Sequence, residues 1–575
     1  MKKIFPWILV ASAVWFNHFY RHGLEQSLGH QIFYSLPVIG HFRYGLFLAQ
    51  KWPLVILALL FFFYWLIKQK TLLTNLKENR FYILIIAIVL LTSHWFSFQR
   101  WFEFDDFRVI GHHNAVTGTP DENAMGLSNS VFYAIGMVYL VVRWFGTNFD
   151  LYNSLGLIFY FFTAVVIFSF TLKLQKNKYV ALIAALFFIT APTYYRQTLQ
   201  MQEFIGDGFS VLLFSLTNLM LVSGFYPGAI LAAAATLEFG LSRTHFISLT
   251  LLLVTIFLAP RIGNLRKGWI ISLFTIPTLT LFYLPVFINF FPESVDQVHW
   301  SYNFSNIIRI SDSVFGVMVP HGIAFNLIWF LRWTFNHHVY ISVACGAILV
   351  FGFLGISFFL FRKRKILAAK LVFIGIVTVV AAITFPTLSG IRVIQNTKDL
   401  TIQYDDIYPA APTSYGVFST FGAVLILIGL GQVVKKNLFR NLSIFLVAFN
   451  ALTVAKSDIE WARQYSAPER AINPQMMPLI PGDGRVKVIY TPPPTEILSR
   501  YIDFFYQLYR IREPLYFTND GQAFIDMLAK YKPSNEDVYV FAMDTKTYKV
   551  TDVSSKVRPY LGKNLTPEIL KASLK

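Results

Sequence analysis

Residues Phe81–Phe98, FYILIIAIVLLTSHWFSF, run straight into Gln99–Asp106, QRWFEFDD, and this junction decides the class of fold. The first stretch is apolar and long enough to satisfy its own backbone as a helix across about 30 Å of hydrocarbon. The second sets Glu103, Asp105 and Asp106 among the rings of Trp101, Phe102, Phe104 and Phe107, as expected at a membrane interface. Carboxylates in such a place are expensive unless they have a task.

The whole chain repeats the theme. Its 575 residues are 55% hydrophobic, 17% aromatic and only 14% charged, and the mean hydropathy is +0.52. Soluble domains are rarely this apolar, so the composition predicts an α-helical polytopic membrane protein. The net charge of +18 does not point to nucleic acid, because the bases are dispersed between apolar runs. They fall at Lys68 to Arg80, Lys173 to Lys178, Arg261 to Lys267, Arg362 to Lys370 and Lys435 to Arg440. The positive-inside rule makes all five groups cytoplasmic, and Lys2 and Lys3 put the N-terminus there too.

Two cytoplasmic loops must be separated by an even number of crossings, and that parity identifies runs that do not cross. Val131–Phe145 is short and interrupted by Arg143, and Gly322–Phe335 would place Arg362–Lys365 outside. Both read as helices lying in the outer interface. The remaining spans begin near Ile4, Trp52, Phe81, Leu151, Tyr179, Phe209, Gly228, Phe246, Trp269, Val339, Leu371, Val417 and Leu442. This predicts about 13 crossings in a plasma-membrane protein, N-terminus inside and C-terminus outside. The start Lys2-Lys3 to Ala13 has the order of a signal peptide but is too short to favour cleavage. Cys345, inside a span, is the one cysteine, so no disulfide within the chain and no thiolate metal site can form.

After Lys456 the composition changes, dividing the chain into a membrane part, 1–456, and an outer domain, 457–575. Residues 458–575 carry 16 bases and 14 acids. Strand-like Val486–Tyr490, Leu515–Phe517 and Val538–Phe541 alternate with helix-like Thr495–Ile511 and Ala523–Tyr531. That order predicts a small extracytoplasmic α/β domain. It lacks a glycine-rich phosphate loop and any metal-spaced His or Cys cluster, so acceptor binding or packing is its expected role.

The outer loops therefore hold the candidate chemistry. Neighbouring Asp105 and Asp106 repel when both are ionised, which raises one pKa toward neutrality or recruits a cation. The pair suits a general base or the ligands of a divalent metal, while capping of the next helix is the competing reading. A second outer loop supplies Arg196, Glu203 and Asp207, and a third, EFGLSRTH, supplies Glu238, Arg243 and His245. Arginine fits phosphate through its forked donors. Asp405-Asp406 is a further acidic pair, His299, Arg309 and Asp312 stand in a long loop suited to a lid, and His337-His338 reads as an interfacial pair.

From Phe81 to about Phe291 the chain resembles the GT-C superfamily of polyprenyl-phosphate-sugar-dependent membrane glycosyltransferases. The resemblance is carried by a span, the acidic string Glu103–Asp106, an interfacial helix, Arg143-Trp144-Phe145-Gly146, and Ala184-Ala185-Leu186 leading to Ala191-Pro192. It implies a catalytic acid in the first large outer loop, matching Asp105 or Asp106, with Glu203 or Asp207 as a second acidic position. It implies transfer, with inversion, from a polyprenyl-phosphate donor to a lipid, glycan or protein acceptor, Mg or Mn being the one cofactor admitted. Arg243 is the favoured cation for the leaving phosphate, with Arg196 and His245 behind it and Glu103 in support. The chain departs from the common layout in having two extra spans before the acidic loop and no strict Asp-x-Asp. A transporter or flippase is the alternative, whose key charges would lie near the bilayer midplane. A non-catalytic envelope assembly protein is the third reading.

Overall fold

The computed structural model describes residues 77–100, 148–191, 201–239, 244–259, 340–388, 416–461, 475–490 and 515–574, except positions 482, 545, 548 and 564, plus a few isolated positions such as Phe145. Within these the chain is mostly helical: α1 (Arg80–Ser93), α2 (Phe149–Gln175), α3 (Lys178–Thr190), α4 (Met201–Val222), α5 (Tyr226–Phe239), α6 (Thr244–Phe257), α7 (Tyr340–Arg362), α8 (Ile366–Leu388), α9 (Gly416–Leu430) and α10 (Lys436–Trp461). Most begin within a few residues of the expected starts. The exceptions are α4, which begins at Met201 rather than near Phe209, and α8 and α10, which begin at Ile366 and Lys436 rather than near Leu371 and Leu442. The crossings expected from Ile4, Trp52 and Trp269, and the interfacial helices apart from Phe145, lie outside the described residues.

Among the described residues, four helices are long and apolar enough to cross a membrane: Phe149–Gln175, Val343–Arg362, Ile366–Thr384 and Lys436–Lys456. Their exteriors are apolar as well, with Ile348, Phe351, Phe358, Leu442 and Leu452 exposed, an arrangement that hydrocarbon solvates and water does not.

Local chemistry sets the connections. Lys176 takes the left-handed conformation (φ 56°) that ends α2, and the Asn177 side chain accepts the Tyr179 and Val180 amides to start α3. At the same end the Gln175 amide donates to Ile428 O, and Gly431 approaches Val180 and Phe439. Lys370 Nζ donates to Phe257 O, 3.2 Å away, and Tyr82 stacks on Phe168. The described basic residues at Lys77 to Arg80, Lys173 to Lys178, Arg362 to Lys370 and Lys435 to Arg440 therefore gather at one end of the bundle. Arg261 to Lys267 lies outside the described residues.

Helices α8 and α9 approach most closely, because glycines face each other. A Cβ on Gly375 would lie 2.5 Å from Gly422 O, and one on Gly422 would lie 2.7 Å from Gly375 O. Between helices in lipid, where burying apolar surface gains nothing, such close approach supplies the packing. Gly422→Leu should open this contact and destabilise the protein by about 1–3 kcal/mol, read as a lowered melting temperature in detergent; an unchanged melting temperature would refute the contact.

The C-terminal residues form a four-stranded sheet, β1 (Lys487–Tyr490), β2 (Leu515–Thr518), β3 (Val538–Met543) and β4 (Val550–Asp552), in the order β2-β1-β3-β4. The first three strands are parallel and β4 is antiparallel to β3. Helices α11 (Gly521–Tyr531), α12 (Ser554–Val557) and α13 (Pro567–Ser573) complete the described part. Strands β1 and β3 are buried on both sides: Ile489, Phe517 and Phe541 belong to one core, while Val488, Val540 and Phe524 of α11 belong to the other. The expected strands and the helix at Ala523–Tyr531 coincide with β1, β2, β3 and α11, whereas β4 and α13 were not anticipated. The expected helix Thr495–Ile511 lies outside the described residues. Helix α10 continues through Trp461, past the composition change at Lys456.

An ion-pair network ties the amino ends of β1 and β3. The buried Lys487 ammonium donates to Asp537 Oδ1, 2.7 Å away, and to Asp483. Arg485 donates to Asp483 and lies 3.4 Å from Asp537, which also accepts from Ser534. Hydrogen bonds from Arg485 and then Lys487 hold the Asp483 carboxyl far below the usual carboxylate range. Burial alone would raise Asp537 and lower Lys487, but their mutual hydrogen bond and those from Ser534 and to Asp483 outweigh it, so Asp537 is held low and Lys487 high.

Carboxylates held low contribute stability that is present above their unfolded pKa of roughly 4 and is lost as pH falls through their folded values. The raised lysine contributes stability that is complete below roughly pH 10 and is lost as pH rises through its folded value. Lys487→Met should therefore loosen the sheet by about 3 kcal/mol at pH 7, seen as faster amide hydrogen exchange in β1 and β3. The difference from wild type should shrink below about pH 4 as the carboxylates protonate. A pH-independent difference would rule the network out as the cause.

Candidate functional site

Helix α1 ends in polar residues that turn back on it: Thr92 Oγ1 and Ser93 Oγ donate to Ile88 O and Val89 O at 2.8 and 2.7 Å. The chain then tightens into a 3-10 turn, Trp95–Gln99, in which Ser97 Oγ donates to His94 O at 2.6 Å. Three neighbouring helices hold this turn. Asn153 of α2 donates to Ser97 Oγ at 2.8 Å, and His94 Nε2 lies 3.0 Å from Ile189 O of α3, the geometry of a ring N–H donating to a carbonyl.

The third tie is an ion pair. Arg100 Nη1 donates to Asp458 Oδ1 of α10 at 3.0 Å, with the two side chains 0% and 1% exposed. A pair so fully removed from water is favourable only if its geometry is held, and taking away one partner strands the other charge. Among the described residues, Asp458 Oδ2, His94 Nδ1 and Asn153 Oδ1 are buried without a hydrogen-bond partner. Arg100 is the last described residue before Trp101 and the acidic string. The root of that string is thus fixed to α2, α3 and α10.

The expected site residues distribute as follows. Glu103, Asp105, Asp106, Arg196 and Arg243 lie outside the described residues. Glu203 and Asp207 occupy the first two turns of α4, Glu238 the last turn of α5, and His245 the first turn of α6. A Cβ on Gly208 would meet Phe159 and Tyr160 of α2 at 3.3 and 3.4 Å, and farther along, Phe214 and Phe170 both meet Phe421 of α9. Helices α2 and α4 therefore run in the same direction. Glu203, five residues before Gly208, stands on the backbone about 7.5 Å nearer the end where Asn153 binds Ser97.

Helices α5 and α6 are each 14 residues long against 22 for α4. Both reach the basic end, α5 through the turn at Ser223–Phe225 and α6 where Phe257 meets Lys370. The connection between them, 240–243, lies outside the described residues.

His94, Arg100 and Asp458 were missed by the sequence reading. Asp458 was assigned to the outer domain by composition. A signal was available in Asn450, Val454 and Asp458, spaced four apart and all buried, which continue one helical stripe beyond Lys456. Among the described residues no group of three or more His, Cys, Asp and Glu side chains forms a metal site, and the proposed ligands Asp105 and Asp106 lie outside them.

No protein-family model and no curated protein matches this chain. Arg100→Met alone, or Asp458→Leu alone, should destabilise the protein by about 3–5 kcal/mol, whereas the double variant should recover most of the loss. Melting temperatures of the four purified forms check this, and simple additivity of the single losses would show that the two residues are not a coupled pair.

Proposed function

We propose that the chain is a membrane glycosyltransferase that moves a sugar from a polyprenyl-phosphate donor to an extracytoplasmic acceptor. The observation that carries this reading is that Arg100, anchored three residues before Glu103, and the acidic start of α4 both lie at the end opposite the basic turns. By the positive-inside rule the basic end faces the cytoplasm, which puts the N-terminus inside and the outer domain and site outside. Thirteen crossings and a GT-C arrangement of the module from Phe81 onward complete the reading.

The chemistry follows from the residue types. An acceptor hydroxyl attacks the anomeric carbon, its proton passes to Asp105 or Asp106, and the bond to the lipid phosphate breaks with its electron pair going to the phosphate oxygen. Attack opposite the leaving group inverts the carbon. Charge grows on the phosphate as the bond lengthens, so a fixed cation there lowers the barrier more than it tightens substrate binding. Arg243 is the favoured cation for this role, with Arg196 and His245 next in rank. Glu103, Glu203, Asp207 and Glu238 bind substrate hydroxyls. A divalent ion held by Asp105 and Asp106 would supply further charge neutralisation at the phosphate.

A second reading, transport or flipping of a lipid-linked substrate, draws support from the buried Arg100–Asp458 pair, because charge inside the bundle is where a transport pathway would need it. Reconstituted vesicles separate the two. With a panel of labelled polyprenyl-phosphate sugars, wild type should transfer sugar, Asp105→Asn or Asp106→Asn should reduce kcat about 10²-fold or more, and Arg243→Ala about 10²–10³-fold. Equal transfer by all three variants would overturn the site, and substrate flux without transfer would favour transport. A chelator arm reads metal use.

A further inference from the structure

At the basic end, α7 and α8 are joined by Arg362-Lys363-Arg364-Lys365, four consecutive exposed bases in a tight turn. Arg364 is in the left-handed region (φ 58°), and the Lys363 and Lys365 amides donate to Phe359 O and Leu360 O, both at 2.9 Å. Two of the cations are laid on rings. The Arg362 guanidinium sits 4.7 Å from the Phe358 ring centroid and Lys363 Nζ 5.6 Å from that of Phe359. Both rings are themselves exposed, on a helix whose flank is apolar. Such contacts hold long side chains at the level where an apolar flank gives way to water.

A second basic turn meets the first. Val433, in the α9–α10 connection, packs against the cluster of Leu360, Ala368, Ala369 and Val372 beneath the α7–α8 turn. Exposed Lys435 and Lys436 follow two residues later. Neither Tyr340–Leu388 nor Gly416–Lys456 contains an Asp or Glu, and among the described residues none of these six bases forms a salt bridge. Six positive charges therefore converge on one apolar patch with no ion-pair partner among the described residues.

We propose that these two turns form a docking surface for the phosphate headgroup of an acidic phospholipid, whose acyl chains lie along the exposed rings of α7. The ligand class follows from the combination. The bases alone would take any anion, but Phe358, Phe359 and Phe361, exposed beside them, offer acyl chains a surface that a soluble phosphate cannot use. This surface lies at the end opposite the proposed catalytic site and does not depend on the glycosyltransferase reading.

The test uses the purified full chain in a neutral detergent, titrated with dioleoylphosphatidylglycerol, dioleoylphosphatidylcholine or glycerol phosphate and read by native mass spectrometry and by melting temperature. The phosphatidylglycerol should bind, raise the melting temperature, and lose affinity as salt is raised. Phosphatidylcholine and glycerol phosphate should bind far more weakly. The variant Lys363→Gln/Arg364→Gln/Lys365→Gln should weaken phosphatidylglycerol binding about fivefold per charge removed, and Lys435→Gln/Lys436→Gln likewise. Lys173→Gln/Lys176→Gln, at the same end but in another loop, should change it little. Equal binding of the two lipids by wild type, which needs no variant to fold, would overturn the proposal. So would glycerol phosphate binding as tightly as the lipid, or an equal loss in the Lys173/Lys176 control.

Discussion

Arg100 and Asp458 lie 358 positions apart in the chain and 3.0 Å apart in space. A charge in an apolar surrounding is tolerated only when its partner is held in place, so this contact constrains everything that holds it. On one side it requires α1 to end in the 3-10 turn that Ser97, Asn153 and Ile189 secure. On the other it requires α10 to continue past the apolar run to Trp461. The consequence is that Arg100, three residues before Glu103, is held on one side, and the last turn of α10 on the other.

The remainder of the bundle is organised by a contrast between its ends. At one end bases collect in short turns closed by backbone hydrogen bonds and left-handed residues, at Lys176 and Arg364. At the other, α1 and α10 end in buried polar contacts. A bilayer favours such a division, since cations at one interface can snorkel to water while charge within the hydrocarbon must be paired or used. The close contact at Gly375 and Gly422 adds the packing that the apolar helices cannot gain from water exclusion.

Much of this was legible in the sequence, and for a physical reason. Helix starts such as those of α1, α2, α3, α5, α6, α7 and α9 follow from apolar run length, because a backbone in hydrocarbon must bond to itself whatever its neighbours are. The strands at Lys487, Leu515 and Val538 follow from β-branched and aromatic runs between turn residues. What composition obscured were places where a polar residue belongs to an apolar element. Asp458 reads as part of a soluble domain, and the polar start of α4 at Met201–Asp207 reads as loop, since neither signals which way its side chain must face.

By itself, then, the sequence determined a helical membrane protein with a small α/β domain and with bases set between its spans. These properties depend on local composition and on the solvent, and both can be read residue by residue. Only the tertiary structure decided that Arg100 meets Asp458 and that two basic turns share one apolar patch. Those outcomes depend on which helices are neighbours, and residues far apart in the chain carry no local trace of being partners.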